Sequence, residues 1–327
     1  MHDKDNDNML TLQKIQNLML KFLKNWTLPI AMITGACAYP LLIHIRFLMP
    51  YLLFLILLIT FTKVSFKDIK IEPLHGWLLA IQLFGSVILF ALLYPFDKYL
   101  AESAMLCLIA PTAAAAAVVT GKLGGSVPCL TTYTLLSSVL TAFLVPLFFP
   151  LVASLPPDID IHVESDFLSS VLLILSRVFM ILVLPLILAW AIRGFLPSLH
   201  RQMVKVSGVS FYLWGCSLTI VTAVTVDTLV KNDDKGMTEI LAALVGLAAC
   251  ALQFYLGKRI GSRYGERISG GQGLGQKNTV LIIWISQMYL NPVSSLAPCS
   301  YVIWQNIVNS WQLWKKRKRD ARGEQIH

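Results

Sequence analysis

The stretch Cys107-Leu108-Ile109-Ala110-Pro111-Thr112-Ala113-Ala114-Ala115-Ala116-Ala117-Val118-Val119-Thr120-Gly121 decides how this chain is read. It is apolar enough to lie in a bilayer, yet it is broken at its centre. Pro111 has no amide hydrogen, and its ring pushes the preceding residue out of helical geometry. A helix entering this stretch therefore stops near Ala110, and a second one starts beyond Thr112. A later stretch, Gly270-Gly271-Gln272-Gly273-Leu274-Gly275-Gln276-Lys277-Asn278, follows the polar run Ser262–Ser269 and leads into another apolar helix. Its four glycines predict a second interruption. Unwound backbone survives at membrane depth only where it lines a cavity or is buried in protein. Paired interruptions in the two halves of a chain mark the midplane site of secondary carriers. The competing reading is that the glycines only let helices pack closely.

Working outward, the chain has 327 residues, 56% hydrophobic and 14% charged. A soluble domain carries about 25% charged residues. Apolar runs of roughly 20 residues match a hydrocarbon core of about 30 Å. They place spans near 25–45, 47–62, 76–95, 103–121, 126–154, 167–192, 207–229, 237–256, 275–291 and 294–314. The prolines Pro146, Pro150, Pro156 and Pro157 crowd the exit of the fifth. The expected fold is an all-α polytopic membrane protein of about ten helices. Two inverted five-helix repeats occupy 25–155 and 167–314. A cytoplasmic tail (1–24), an outer linker (156–166) and a basic cytoplasmic tail (315–327) complete it. The first eight residues are mostly polar and charged, so no signal peptide is expected there.

Charge supports that alternation. With the N-terminus in the cytoplasm, most of the 27 Lys and Arg fall on the inside, from Lys4, Lys14, Lys21 and Lys24 to Lys315–Arg319 and Arg322. The expected outside loops hold Arg46, Lys98, Lys231 and Lys235. They are mainly acidic: Asp97, Glu102, Asp158, Asp160, Glu164, Asp166, Asp233, Asp234 and Glu239. Basic residues are retained on the cytoplasmic side of membranes, so a bacterial inner membrane with both termini inside is expected. The Lys315–Arg319 tail follows Trp304, Trp311 and Trp314, which reads as an anchor on anionic headgroups and not as a nucleic-acid site.

At the two interruptions the chain resembles the bile acid:sodium symporter family. The family signature Pro-Gly-Gly-Thr-Ala-Ser-Asn reads here Pro111-Thr112-Ala113-Ala114-Ala115-Ala116-Ala117, and Glu-x-Gly-x-Gln-Asn reads Gly273-Leu274-Gly275-Gln276-Lys277-Asn278. The resemblance spans roughly 25–315. It implies a panel domain of spans 1, 2, 6 and 7, and a core domain of spans 3–5 and 8–10. Spans 4 and 9 are broken and cross, and substrate sits between panel and core. Family members bind two sodium ions near the crossing. Here the ligand Glu is Gly273, the Ser-Asn pair is Ala116-Ala117, the Gln before the last Asn is Lys277, and a ligand Ser is Leu130. Gln82, Thr134 and Asn278 remain. The departures imply that Lys277 supplies a built-in positive charge in place of sodium. With its pKa lowered by burial, it would instead carry a proton. The competing placement has Lys277 snorkelling to the cytoplasmic surface. No cofactor and no metal is expected, and a proton is the alternative coupling ion.

Other residues join the candidate site. Arg177 stands about 15 Å from either surface at ~1.5 Å per residue, and its planar fork suits a carboxylate or sulfate; a structural partner is the alternative. Thr112, Thr120, Thr131, Thr132, Thr134, Gln276, Asn278 and Gln287 supply neutral polar groups, or ordinary interhelical hydrogen bonds. Asp227 and His44 are expected at the surface. The six cysteines lie in or beside apolar runs without metal spacing, and Gly270-Gly271-Gln272-Gly273 lacks the GxxxxGKS of a phosphate loop. The expected activity is secondary transport of a small organic anion: a bile-acid-like steroid, a keto acid or a pantothenate-like metabolite. A transport-dead sensor with the carrier fold, an intramembrane enzyme using Lys277 or Arg177, and a channel are the rivals. No acid–base pair or nucleophile set supports an enzyme.

Overall fold

The computed structural model describes Thr27 and residues 29–64, 69–155, 167–231 and 236–322. The expected charges at Lys4, Lys14, Lys21, Lys24, Lys67, Asp158, Asp160, Glu164, Asp166, Asp233, Asp234 and Lys235, and the Pro156-Pro157 linker, lie outside the described residues. Among those residues the chain is helical, with one isolated antiparallel bridge.

A helical stretch over 29–37 bends at Ala38 and continues through Tyr39–Leu42 and a 3-10 turn, Ile43–Leu48, into α1 (Met49–Phe61). Then follow α2 (Pro73–Leu93), α3 (Lys98–Ile109), α4 (Ala116–Leu123), α5 (Val127–Ala153), α6 (Phe167–Leu182), α7 (Leu184–Phe195), α8 (Pro197–Lys205) and α9 (Val209–Lys231). The last are α10 (Met237–Arg263), α11 (Arg267–Gly275), α12 (Thr279–Tyr289) and α13 (Leu296–Asp320). Six segments are long and apolar enough to cross a membrane: Tyr39–Phe61, α2, α5, Phe167–Phe195, α9 and α10. Of the ten expected spans, the first, near 25–45, lies partly outside the described residues and otherwise bends at Ala38 into the Tyr39–Phe61 segment, so it is not a separate candidate; the fourth and ninth fall short because each is cut in two. The tenth, α13, is long enough but too polar. α5 runs through Pro146 and Pro150 without ending.

The direction in which polarity points supports the membrane reading. On α2 the buried face is Leu74, His75, Leu78, Gln82 and Ser86, while Trp77, Phe84, Ile88 and Leu92 face outward. A water-soluble helix shows the reverse arrangement. In a bilayer, Gln82 and Ser86 need protein partners and the outward face needs none.

The helices sort by packing. α1 lies against α7 and α9, while α6 packs on α1 and α7 and, most extensively, on α5 of the other group. Arg193 of α7 donates to the Val64 carbonyl at 3.2 Å, and the His200 imidazole of α8 lies 2.9 Å from that of Thr62. Both bonds serve carbonyls that α1 leaves unpaired at its end. The other group comprises α2–α5 and α10–α13, with α10 packed on α3, α11 and α13. Two buried polar links hold it at the end where α2 and α5 begin. The His75 ring accepts from the Glu72 amide at 2.9 Å through Nδ1, which leaves Nε2 to donate to the Cys129 carbonyl at 3.0 Å. Ser269 of α11 bridges Glu266 and Ser126. α4 ends in a Schellman turn, with the Gly125 amide on the Thr120 carbonyl and Gly124 at φ 88°, a conformation that suits glycine.

Two expectations need correction. Lys98 and Glu102 are not in an outer loop; both are buried in α3. The glycine run is not itself the second interruption. Residues 267–275 stay helical, and the break falls at Gln276–Asn278. The glycines lie flush on α10: a Cβ on Gly270 would sit 2.5 Å from the Gly257 carbonyl oxygen, and one on Gly271 would sit 2.6 Å from Lys258 Cγ. Close packing explains them.

Candidate functional site

The chain is unwound between α3 and α4 over 110–115 and between α11 and α12 over 276–278, and the two gaps meet. Thr112 and Lys277 pair as an antiparallel bridge. The Ala113 amide donates to the Gln276 carbonyl at 2.9 Å, and the Asn278 amide donates to that of Pro111 at 2.8 Å. Each break thus supplies partners that the other would lack.

The end of α3 shows how completely the backbone is satisfied. A helix leaves its last carbonyls unpaired. Here the Cys107 carbonyl accepts from Gln253 Nε2 at 3.1 Å. The Leu108 and Ala110 carbonyls both accept from Lys277 Nζ at 2.9 Å. The Ile109 carbonyl accepts from Gln82 Nε2 at 3.0 Å and Thr141 Oγ1 at 2.9 Å. The same is seen on α11. The Gly273 carbonyl accepts from Thr112 Oγ1 at 2.8 Å, and that of Gly275 accepts from the Tyr301 hydroxyl at 2.8 Å.

Lys277 is therefore embedded, at 1% exposure, and does not snorkel. Its ammonium caps the negative end of the α3 dipole. Among the described residues no carboxylate lies within ion-pair distance of it. Its amide donates to Gln305 Oε1 at 2.8 Å, which fixes the backbone from which the side chain reaches across.

The remaining candidates divide. Gln82, Thr112, Gln276, Lys277 and Asn278 meet at the crossing. Gln82 acts there as a brace: it also donates to Thr141 Oγ1 at 3.0 Å and accepts from the Tyr133 hydroxyl at 3.1 Å. Gln276 Oε1 is buried without a partner. Asn278 caps α12, accepting from the Leu281 amide at 3.4 Å. Ala116 is buried and Ala117 half-buried at the start of α4, with only methyl groups where oxygen ligands were expected in the family. Thr134 turns its hydroxyl back to the Leu130 carbonyl of its own helix at 2.9 Å. A Cβ on Gly273 would meet Tyr133 Cδ1 at 2.8 Å, so the ring fills the space a longer side chain needs.

Arg177 is apart from the crossing. It is exposed on α6, beside the buried positions Ile174 and Val178. Its helix packs both on α5 of the second group and on α1 and α7 of the first. Gln287, on the preceding turn of α12, donates to Ser295 at 3.1 Å. Thr120 lies at the far end of α4, buried, with its hydroxyl unpartnered. Thr131 is half-buried, and Thr132 accepts from the Lys70 amide at 3.2 Å. Asp227 pairs with Lys231 at 2.8 Å, and His44 is exposed.

Sequence reasoning missed Tyr133, Thr141, Gln253, Tyr301 and Gln305, and Ser137 of α5, whose hydroxyl accepts from the Thr112 amide at 3.0 Å. The available signal was an isolated polar residue inside an apolar run, which in a membrane demands a partner.

A search of curated proteins returns no match. A family model, that of the sodium bile acid symporter family, matches residues 49–232, more than half of the chain. The match takes in the first interruption and ends before the second, so Lys277 lies beyond it. The match and the apolar helices agree, and the chain belongs to the sodium bile acid symporter family, a family of membrane transporters.

Proposed function

We propose that the chain carries a small organic anion by alternating access, with Lys277 holding the crossing in place of sodium ions. The observation that carries this reading is the Lys277 ammonium on the Leu108 and Ala110 carbonyls at 2.9 Å. Sodium is a hard cation that wants several oxygen ligands. The side-chain oxygens are reduced to methyl groups and a glycine here, and Lys277 Nζ occupies the carbonyls. The group of α1, α6, α7 and α9 is the panel. The group of α2–α5 and α10–α13 is the core. The interruptions at 110–115 and 276–278 support ten segments in two inverted halves. The charge pattern supports a bacterial inner membrane with cytoplasmic termini. Arg177, at the boundary between panel and core, binds the anion through its fork.

A second reading makes Lys277 the proton carrier of the cycle. It is favoured by the lack of a carboxylate beside the ammonium among the described residues.

The test is a thermal-shift screen of the purified chain against steroid, keto and hydroxy carboxylates, in sodium and in potassium, across pH. A ligand that binds the folded state raises the melting temperature. We expect carboxylates to stabilise equally in both salts, and Arg177→Gln to abolish that gain with expression intact. Stabilisation that needs sodium, or that survives Arg177→Gln, would overturn the assignment. Binding without uptake into vesicles would identify a sensor with the carrier fold.

A further inference from the structure

The crossing leaves one buried carboxylate unused. Glu102 lies on α3 at 1% exposure, six residues before Leu108 and so about 9 Å along the helix from the lysine cap. Its Oε2 accepts from the hydroxyl of Ser294, in the turn Pro292–Ser295 that joins α12 to α13. The neighbouring Ser103 donates to the Ser294 carbonyl at 2.7 Å. Two successive residues of α3 thus hold this turn. Oε1 stands 4.0 Å from Lys98 Nζ, whose short bond, at 2.5 Å, goes instead to the Leu155 carbonyl.

The surroundings supply little else for a negative charge. Asp97 caps α3, is exposed, and accepts from the Leu100 amide at 2.6 Å. Among the described residues, the buried faces of α2, α5, α10 and α13 present as titratable groups His75, Cys129, Tyr133, Cys250 and Tyr301, with Cys299 of α13 half-buried next to the turn. His75 is at the opposite end of α2, about 27 Å from its last turn. α12 buries none. A buried carboxylate with one hydroxyl donor and a cation 4.0 Å away is poorly compensated in its ionised form. A protonated carboxyl still accepts the Ser294 hydroxyl through Oε2.

We propose that Glu102 is a proton-binding site that latches the 292–295 turn to α3. With the turn shut, the carboxyl holds a proton taken from water on its side of the membrane. When the turn lifts, water reaches the group, the proton returns to it, and Glu102 ionises beside Lys98. The latch deepens the carrier reading by giving the cycle a proton-dependent step at the end of the broken helix.

Infrared titration of the purified full chain, from about pH 5 to about pH 9, tests it without any transported anion. A protonated-carboxyl band that rises and falls in this window is expected. Glu102→Gln should remove it, Asp97→Asn should keep it, and Ser294→Ala should move the pH at which it appears. A band indifferent to Glu102→Gln, or no carboxyl titrating in the window, would overturn the proposal. Should Glu102→Gln fail to fold, an unmoved band in Ser294→Ala overturns it equally. Failure here leaves anion binding by Arg177 intact, and a failed anion screen leaves the titration intact.

Discussion

Replacing Lys277 by Met removes the charge and keeps most of the volume. The partners stay where they are: the Leu108 carbonyl has the ammonium as its partner, and that of Ala110 keeps only Gln82 Nε2 at 3.4 Å. Two charge-assisted bonds, each worth about 1.5–3 kcal/mol, are lost, and one buried carbonyl left bare costs about 1–3 kcal/mol. Relief from burying an ammonium offsets several kcal/mol of this. The partners are neutral carbonyls, so the net loss is set by their lost bonds less the relief from burying the ammonium. We expect Lys277→Met to destabilise the chain by about 2–4 kcal/mol. Denaturant unfolding of the detergent-solubilised protein, read by tryptophan fluorescence, measures it. Lys277→Ala should cost about 2 kcal/mol more, because the longest side chain at the crossing leaves a cavity. A Met variant within about 1 kcal/mol of the parent would refute the claim that the charge holds the crossing.

Two further substitutions probe the surroundings. Gly273→Glu restores the family carboxylate in name only, since its Cβ falls 2.8 Å from the Tyr133 ring. It should destabilise by about 1–3 kcal/mol and gain no sodium-dependent melting shift; a clear shift in sodium alone would contradict this. Gly257→Ala drives a methyl into the Gly270 backbone, with its carbonyl carbon 2.9 Å away. It should lower the melting temperature through a loss of about 1–3 kcal/mol, and a neutral result would mean α10 and α11 are free to separate.

The interruptions were legible because their causes are local, and their meeting was implied by the family resemblance. Pro111 forbids a continuous helix whatever surrounds it, and a lysine between Gln276 and Asn278 in an apolar context demands buried acceptors. The identity of those acceptors was not legible. That Gln253, Tyr301 and Gln305 serve the α3 and α11 termini depends on how α10 and α13 lie against them, and no spacing in the chain encodes it. The glycines from Gly270 to Gly275 misled for a related reason. Glycine permits both unwinding and contact, and the residues that face each one, Gly257 for Gly270, Lys258 for Gly271 and Phe254 for Gly275, decide for contact. Glu102 was read as a loop charge because it sits four residues from the start of its helix. Its burial follows from the turn at Ser294, nearly two hundred residues later in sequence.

The replacement of a metal by an ammonium has a direct test in calorimetric titration of sodium chloride into the purified chain in a choline buffer. No saturable heat is predicted for the wild-type protein, since its carbonyls are already occupied by Lys277. A saturable sodium isotherm that potassium does not reproduce would show that the ion sites persist and that the lysine does not stand in for them.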